Sequence, residues 1–191
     1  MKVVAVNGSP RKNGNTAILL EAVLAPLRRE GIEAEVLNVG LNPVAGCIAC
    51  YGCVKSKDRT CAQKGDPMNE YIAKCFDADA LIIGSPTYFA DLTAQVKAFI
   101  DRLGVVSMAN GRALSRKVGA AVTAQRRAGA TNAMDSINKL FLISGMVVPG
   151  STYWNLGNGR EKGEVEKDAE GLANMEDLGK NIAWLLKKIH A

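Results

Sequence analysis

Histidine is almost absent: the chain has one, His190, in 191 residues. It is the penultimate residue, where chains fray, so no catalytic dyad or triad built on imidazole is on offer. No other residue stands out as a general acid or base. Apolar runs are short as well, and none approaches the roughly 20 residues of a membrane span. The opening run Met1 to Val6 stops at Asn7-Gly8, too short for the apolar core of an export signal. The net charge of +5 is mild. Its basic residues are scattered in pairs, Arg11-Lys12, Arg28-Arg29, Arg126-Arg127 and Lys187-Lys188, with no basic stripe or module of a nucleic-acid binder. There is no repeat and no low-complexity tract. These absences lead us to expect one cytoplasmic domain over 1–191, with neither nucleic acid nor membrane as partner.

What is present is concentrated. Four of the five cysteines fall in Cys47-Ile-Ala-Cys50-Tyr-Gly-Cys53 and then Cys61. Thiolates ligate iron–sulfur clusters, and two-residue gaps let one turning backbone aim successive sulfurs at a single cuboidal 4Fe-4S cluster. Zinc also takes four thiolates, but its structural sites usually come as two separated pairs. Reduced thiols on a loop, one of them redox-active, are a further reading, and disulfides would need an oxidising compartment. Cys75 lies apart, in Tyr71-Ile-Ala-Lys-Cys75-Phe76, and reads as a small buried helix residue.

Around this cluster of cysteines, strand and helix alternate. Lys2 to Asn7 is a Val-rich apolar run of strand length, uniform rather than alternating, which suits a strand buried on both faces of a parallel sheet. A helix follows from about Thr16 to Glu30, with Pro26 awkward inside it. Ile32 to Val39 is a second strand. Leu41 to Gly65 is a long loop holding the cysteines, and Pro67 to Phe76 is a helix with Asp66 as N-cap. Ala80 to Gly84 is the third strand, followed by a helix from about Asp91 to Leu103. Lys117 to Thr123 is the fourth strand, Asn132 to Ile143 a helix, and Met146 to Pro149 a short fifth strand. Gly150 to Gly163 reads as loop and Lys167 to Ile189 as the last helix. Such alternation predicts a doubly wound α/β fold, a five-stranded parallel sheet with helices on both faces. Ligands of such sheets bind beyond the carboxyl ends of the strands. The cysteine loop leaves the second strand at that same end.

Each loop after a strand is therefore a candidate wall. Asn7-Gly8-Ser9-Pro10-Arg11-Lys12-Asn13-Gly14-Asn15-Thr16 follows a buried strand and opens a helix, where a phosphate would sit. Five residues separate its glycines and Asn15 stands where a triphosphatase loop needs lysine. It is not Gly-x-Gly-x-x-Gly either. Its hydroxyls and amides, without lysine at the helix start, suit a terminal monophosphate. Gly84-Ser85-Pro86-Thr87-Tyr88-Phe89-Ala90 offers backbone amides beside aromatics, a place for a planar heterocycle. Ala124-Gln125-Arg126-Arg127-Ala128-Gly129 offers small residues for close approach and arginines for negative charge.

Asn7-Gly8-Ser9-Pro10-Arg11 through Gly14-Asn15-Thr16 resembles the phosphate loop of the NADPH-dependent FMN reductase family, of flavodoxin-like fold. Gly84-Ser85-Pro86-Thr87-Tyr88 followed by Lys97-Ala98-Phe99-Ile100-Asp101-Arg102 resembles that family's second signature. The array from Cys47 to Cys61 between them resembles the cysteine motif of the iron–sulfur flavoproteins, a branch of that family. The resemblance covers most of the chain and weakens after Gly150. It implies FMN held by three loops: Ser9, Arg11, Asn13, Asn15 and Thr16 at the phosphate; Pro86, Thr87, Tyr88 and Phe89 along the isoalloxazine; Ala124, Gln125, Arg126 and Gly129 closing the site. It implies a 4Fe-4S cluster on Cys47, Cys50, Cys53 and Cys61, a homodimer or homotetramer, and a redox partner protein or small-molecule acceptor. The expected function is an FMN-dependent oxidoreductase that moves electrons between a two-electron and a one-electron partner. The alternatives are an NAD(P)H-dependent FMN or quinone reductase without a cluster, a flavodoxin-like carrier, and a flavin-binding interaction protein.

Overall fold

A computed structural model describes all residues, 1–191. Five parallel strands form one sheet in the order β2-β1-β3-β4-β5. They are β1 (Lys2–Asn7), β2 (Glu33–Leu37), β3 (Ala80–Pro86), β4 (Val118–Gln125) and β5 (Leu156–Asn158). This is the flavodoxin-like order, and its direction reverses between β1 and β3. Val3 pairs with Ala34 of β2 on one side and with Ala80 of β3 on the other. Nearly every residue of β1, β3 and β4 is buried, because central parallel strands are covered on both faces. β2 is an edge strand, and most of its residues remain partly exposed.

Alternate residues feed two cores. Val3, Ala5, Ile82, Ala120 and Val122 face α1 (Asn15–Arg29) and α6 (Ala169–Ile189). Val4, Val6, Leu81, Ile83 and Ala121 face the opposite side, with α3 (Met68–Asp77), α4 (Ala94–Ala109) and α5 (Ala130–Ser144). The period-2 alternation of a strand makes this split. Pro26 stays within α1, one turn from its end. There α6 comes so close that a Cβ on Gly179 would lie 2.3 Å from the Val23 carbonyl and 2.4 Å from Pro26.

The fifth strand is not where the sequence pattern put it. Met146 to Pro149 contributes one parallel bridge, Val147 to Val118. Pro149 has no N–H with which to continue a ladder. The chain swings out and returns as Leu156–Asn158, opposite Thr123–Gln125. Gly157 sits in its middle because a Cβ there would meet Leu19 at 2.6 Å and Val165 at 2.7 Å. β3 and β4 run two residues further than expected, to Pro86 and Gln125. Within the cysteine loop lies a short helix, α2 (Gly52–Ser56), and a 3-10 turn (Glu164–Lys167) precedes α6. The fourth helix begins at Ala94 rather than Asp91, since Thr93 is its N-cap and accepts from the Val96 N–H.

Candidate flavin cleft and cysteine loop

The loop from β1 to α1 is held from several sides. The Gly8 N–H donates to the Gly84 carbonyl at 2.8 Å. Thr93 Oγ1 donates to the Gly8 carbonyl at 3.1 Å, and the Thr93 N–H donates to Ser85 Oγ at 3.0 Å. Ser9 N–H donates to Asn7 Oδ1 at 3.0 Å, and the Arg11 N–H to Ser9 Oγ at 3.2 Å. Gly40 backs the loop, where a Cβ would strike Ser9 at 2.3 Å. α1 then starts without a side-chain cap and without an acidic residue in its first turn. Its first N–H groups, on Asn15 and Thr16, make no backbone bond. The positive end of the helix dipole is thus left open to an anion.

These residues line a cleft of about 210 Å³ with Pro86, Thr87 and Tyr88 from the end of β3, and Ala124, Gln125 and Arg126 from the end of β4. Ser9, Arg11, Asn15 and Thr16 of the first loop complete this part of the lining. Three expected residues stand outside it. Asn13 is exposed and takes φ +52. Phe89 sits at the tip of a tight turn between Tyr88 and Asp91, fully exposed, with Phe89 and Ala90 both at positive φ. Gly129, at φ +92, lets the loop after β4 pack on Ala90 and Thr87; a Cβ there would lie 2.8 Å from Ala90.

A fourth wall was missed: Gly159 and Arg160, just past β5. The rule that loops after strands line the site would have found them, had Leu156–Asn158 been legible as a strand. Asn15 ties that wall in place. Its Nδ2 donates to the carbonyls of Gly159 at 2.9 Å and Glu161 at 3.0 Å, and its Oδ1 accepts from the Val165 N–H at 3.4 Å. The Asn15 side chain is therefore occupied within the protein, and its free group toward the cleft is the backbone N–H. Arg11 reaches across to the Arg160 carbonyl at 3.2 Å.

The lining includes three arginines, Arg11, Arg126 and Arg160, and no carboxylate. Thr87 Oγ1 is buried with no hydrogen-bond partner. An uncapped helix start, three cations and an orphaned hydroxyl fit a phosphate-bearing ligand with polar edges, as FMN is.

The cysteine loop does not stay beside this cleft. Its short helix α2 packs on α4. Arg59 reaches the far ends of α4 and α3: its N–H donates to Asn110 Oδ1 at 2.9 Å and its guanidinium meets Asp77 at 3.6 Å. Cys47 and Cys50 are exposed, Cys53 and Cys61 are buried, and all are free thiols. Burial pushes the Cys53 thiol pKa up, and Cys61 and Cys50 nearby add to that rise. Ala49, Tyr51, Lys57 and Arg59 all take positive φ, a concentration of backbone strain in one loop. No three or more of the histidine, cysteine, aspartate and glutamate side chains are gathered around a point that would suit a single metal ion. A cuboidal cluster gives each cysteine its own iron, so its ligand sulfurs stand further apart than those of one ion. Four free thiols on one loop match that donor set in kind and number.

Burial of Asp66 acts to raise its pKa, but Arg102 and the N–H groups of Ala45 and Met68 outweigh it and hold the carboxyl below its ordinary value. The helix begins one residue later than expected, with Pro67 rather than Asp66 at its N-cap; Asp66 accepts from the Met68 N–H at 3.2 Å with one oxygen and meets Arg102 with the other. Arg102 closes the second flavin signature, yet its side chain turns away from the cleft and lies buried beneath the cysteine loop.

The model of the family described as NADPH-dependent FMN reductase matches residues 1–161. An iron-sulfur flavoprotein from Methanocaldococcus jannaschii is 35% identical over 196 residues, covering 99% of each chain. An iron-sulfur flavoprotein from Methanosarcina thermophila is 30% identical over 197 residues, covering 99% of this chain and 97% of the relative. Among solved structures, RosB with a bound formylated riboflavin 5'-phosphate intermediate superposes at a TM-score of 0.79, with 20% identity, over 100% of this chain and 80% of that one. A flavodoxin from the domain Archaea superposes at 0.64, also with 20% identity, over 98% and 99%. These structural likenesses show a shared fold.

Proposed function

For this chain, which belongs to the NADPH-dependent FMN reductase family in its iron–sulfur flavoprotein branch and is an FMN-dependent oxidoreductase, we propose that the cleft at α1 holds FMN and that Cys47, Cys50, Cys53 and Cys61 hold one 4Fe-4S cluster. The observation that carries the FMN reading is the uncapped start of α1, facing a cleft with three arginines and no carboxylate. The N–H groups of Asn15 and Thr16, with Ser9 and Arg11, receive the phosphate. Arg126 and Arg160 add positive charge near the cofactor, which favours an anionic reduced flavin. Pro86, Thr87 and Tyr88 receive the ring, with the Thr87 hydroxyl gaining the partner it lacks. Bound there, FMN supplies hydride and single-electron chemistry, and a cluster supplies single-electron steps. The protein's part is binding, orientation and the electrostatics of the cleft. Electrons would pass between a two-electron partner such as NAD(P)H and a one-electron partner.

A second reading is an NAD(P)H-dependent FMN or quinone reductase with no cluster. The exposure of Cys47 and Cys50 favours it. No helix is long and apolar enough to cross a membrane. Five free thiols suit a reducing compartment, and we place the protein in the cytoplasm. Exposed Leu142, Ile143 and Trp154 offer apolar surface for a homo-oligomer. Anaerobic purification with flavin extraction and iron and sulfide assays tests both sites at once. FMN with iron and sulfide supports the proposal; FMN alone after reconstitution moves the chain to the second reading; FAD overturns the FMN assignment.

A further inference from the structure

Arg102 is a cation with no exposed side-chain surface. A buried guanidinium persists only where its donors are met. Every hydrogen bond its side chain makes goes to the segment that carries the cysteines. Nη1 donates to the Ala45 carbonyl at 3.2 Å, and Nη2 to the Gln63 carbonyl at 3.1 Å. Nη1 also pairs with the Asp66 carboxylate. Nε donates to Cys61 Sγ at 3.3 Å. Arg102 stands eight residues into α4, about 12 Å along its axis, so it meets the cysteine loop far down the helix from the flavin cleft. Cys61 is also fixed through its backbone: its N–H donates to Asn69 Oδ1 at 2.7 Å, and its carbonyl accepts from Asn69 Nδ2 at 3.1 Å.

The carbonyls and Asp66 suffice to pin the loop. The bond to sulfur adds little to that task, because a thiol is a weak acceptor. A sulfur bound to iron carries more negative charge and is a better one. We infer that Arg102 is a positioning residue for the cluster: from the protein interior it holds the Cys61 sulfur as a ligand and places an N–H donor and a buried positive charge against it. This rests on the reading of the four cysteines as cluster ligands. Hydrogen bonds to cluster sulfurs favour the reduced, more negative state and so raise its potential.

The test is Arg102→Lys, which keeps a cation for Asp66 but loses the planar fork that reaches a sulfur and two carbonyls together. Wild-type protein and variant are reconstituted anaerobically with iron and sulfide, and both are assayed for FMN. The expected variant keeps its FMN, shows a lower cluster midpoint potential, and loses iron to a chelator about tenfold faster. An unchanged potential and an unchanged stripping rate overturn the inference and leave Arg102 as a loop clamp. If the variant takes up no flavin or no iron, wild-type protein decides. With arginine labelled with ¹⁵N only in its guanidinium group, pulsed EPR of the reduced cluster should show a ¹⁵N coupling, and its absence overturns the inference. A wild type that binds no iron removes this inference and the cluster reading together. An iron-loaded wild type with an unmoved variant removes this inference alone.

Discussion

Asn15 and Gly159 are 144 positions apart and joined by a hydrogen bond of 2.9 Å from Asn15 Nδ2 to the Gly159 carbonyl. Asn15 opens α1, and Gly159 follows the last strand. One side chain thereby binds the phosphate loop to the wall that carries Arg160. Asn15→Ala removes two donors to carbonyls and one acceptor for the Val165 N–H. We expect a loss of about 1–3 kcal/mol in stability and weaker FMN binding through the displaced wall. Asn15→Asp should bind FMN more weakly still, because it sets a carboxylate against two carbonyl oxygens near a phosphate. Isothermal titration of the flavin-free variants with FMN ranks them. An Asp variant that binds like wild type would show that the side chain does not shape the site.

Thr87 gives a prediction with two opposite signs. Its Oγ1 is buried without a partner, and an unsatisfied buried hydroxyl costs about 1–3 kcal/mol. Thr87→Val should leave the flavin-free protein as stable as wild type or more so, by thermal melt. It should also bind FMN less tightly, by roughly five- to tenfold for one lost neutral hydrogen bond of about 1 kcal/mol. Equal FMN affinity in both proteins would place the hydroxyl off the ligand.

Asp168 links the last strand to α6 and should make this region acid-sensitive. It accepts from the Asn158 N–H at 2.6 Å, from Asn158 Nδ2 at 3.0 Å and from the Gly171 N–H at 3.0 Å. Burial acts to raise its pKa, but these bonds outweigh it, and the folded value lies below the ordinary 3.8. A carboxylate with a depressed pKa contributes stability that is fully present above its unfolded pKa and lost as pH falls through the folded one. Asp168→Asn should therefore cost about 1 kcal/mol near neutrality, because the amide still has an oxygen for the cap but lacks the charge that strengthens these bonds. The difference from wild type should hold down to about pH 4 and close below it. Urea midpoints of both proteins from pH 6 to pH 2 read this directly, and a gap that persists at the lowest pH contradicts it.

The five thiols should separate by reactivity in iron-free protein. Cys47 and Cys50 are exposed, Cys53 and Cys61 are nearly covered, and Cys75 is fully buried with its thiol pKa pushed far up by that burial. Thiolate and access together govern alkylation. Timed labelling with mass spectrometry should mark Cys47 and Cys50 first, Cys53 and Cys61 later, and Cys75 only after denaturation. After reconstitution the four loop cysteines should be protected together. Cys→Ser at any of them should abolish cluster absorbance, while Cys75→Ser leaves it.

The central strands were legible because the sheet's physics is local there. A parallel strand covered on both faces is apolar along its buried stretch, so Val3 to Val6 and Ala80 to Gly84 declare themselves. The loop from Gly8 to Thr16 was legible for a similar reason, since a strand, a glycine turn and a helix start are contiguous. The four-cysteine array is also a contiguous pattern, and the chemistry it suggests is read from spacing.

Only the folded chain decided the rest. Leu156-Gly157-Asn158 has no strand pattern, because its glycine answers to Leu19 and Val165 packed against it. With that strand hidden, Arg160 could not be seen as part of the cleft. Asn15 and Arg102 both sit in motifs that point to a flavin, yet each spends its side chain elsewhere, on the Gly159 wall and on the cysteine loop. A side chain with several donors bonds whatever segment folds against it, and that segment is chosen by the packing of the whole sheet and its helices, which no local spacing encodes.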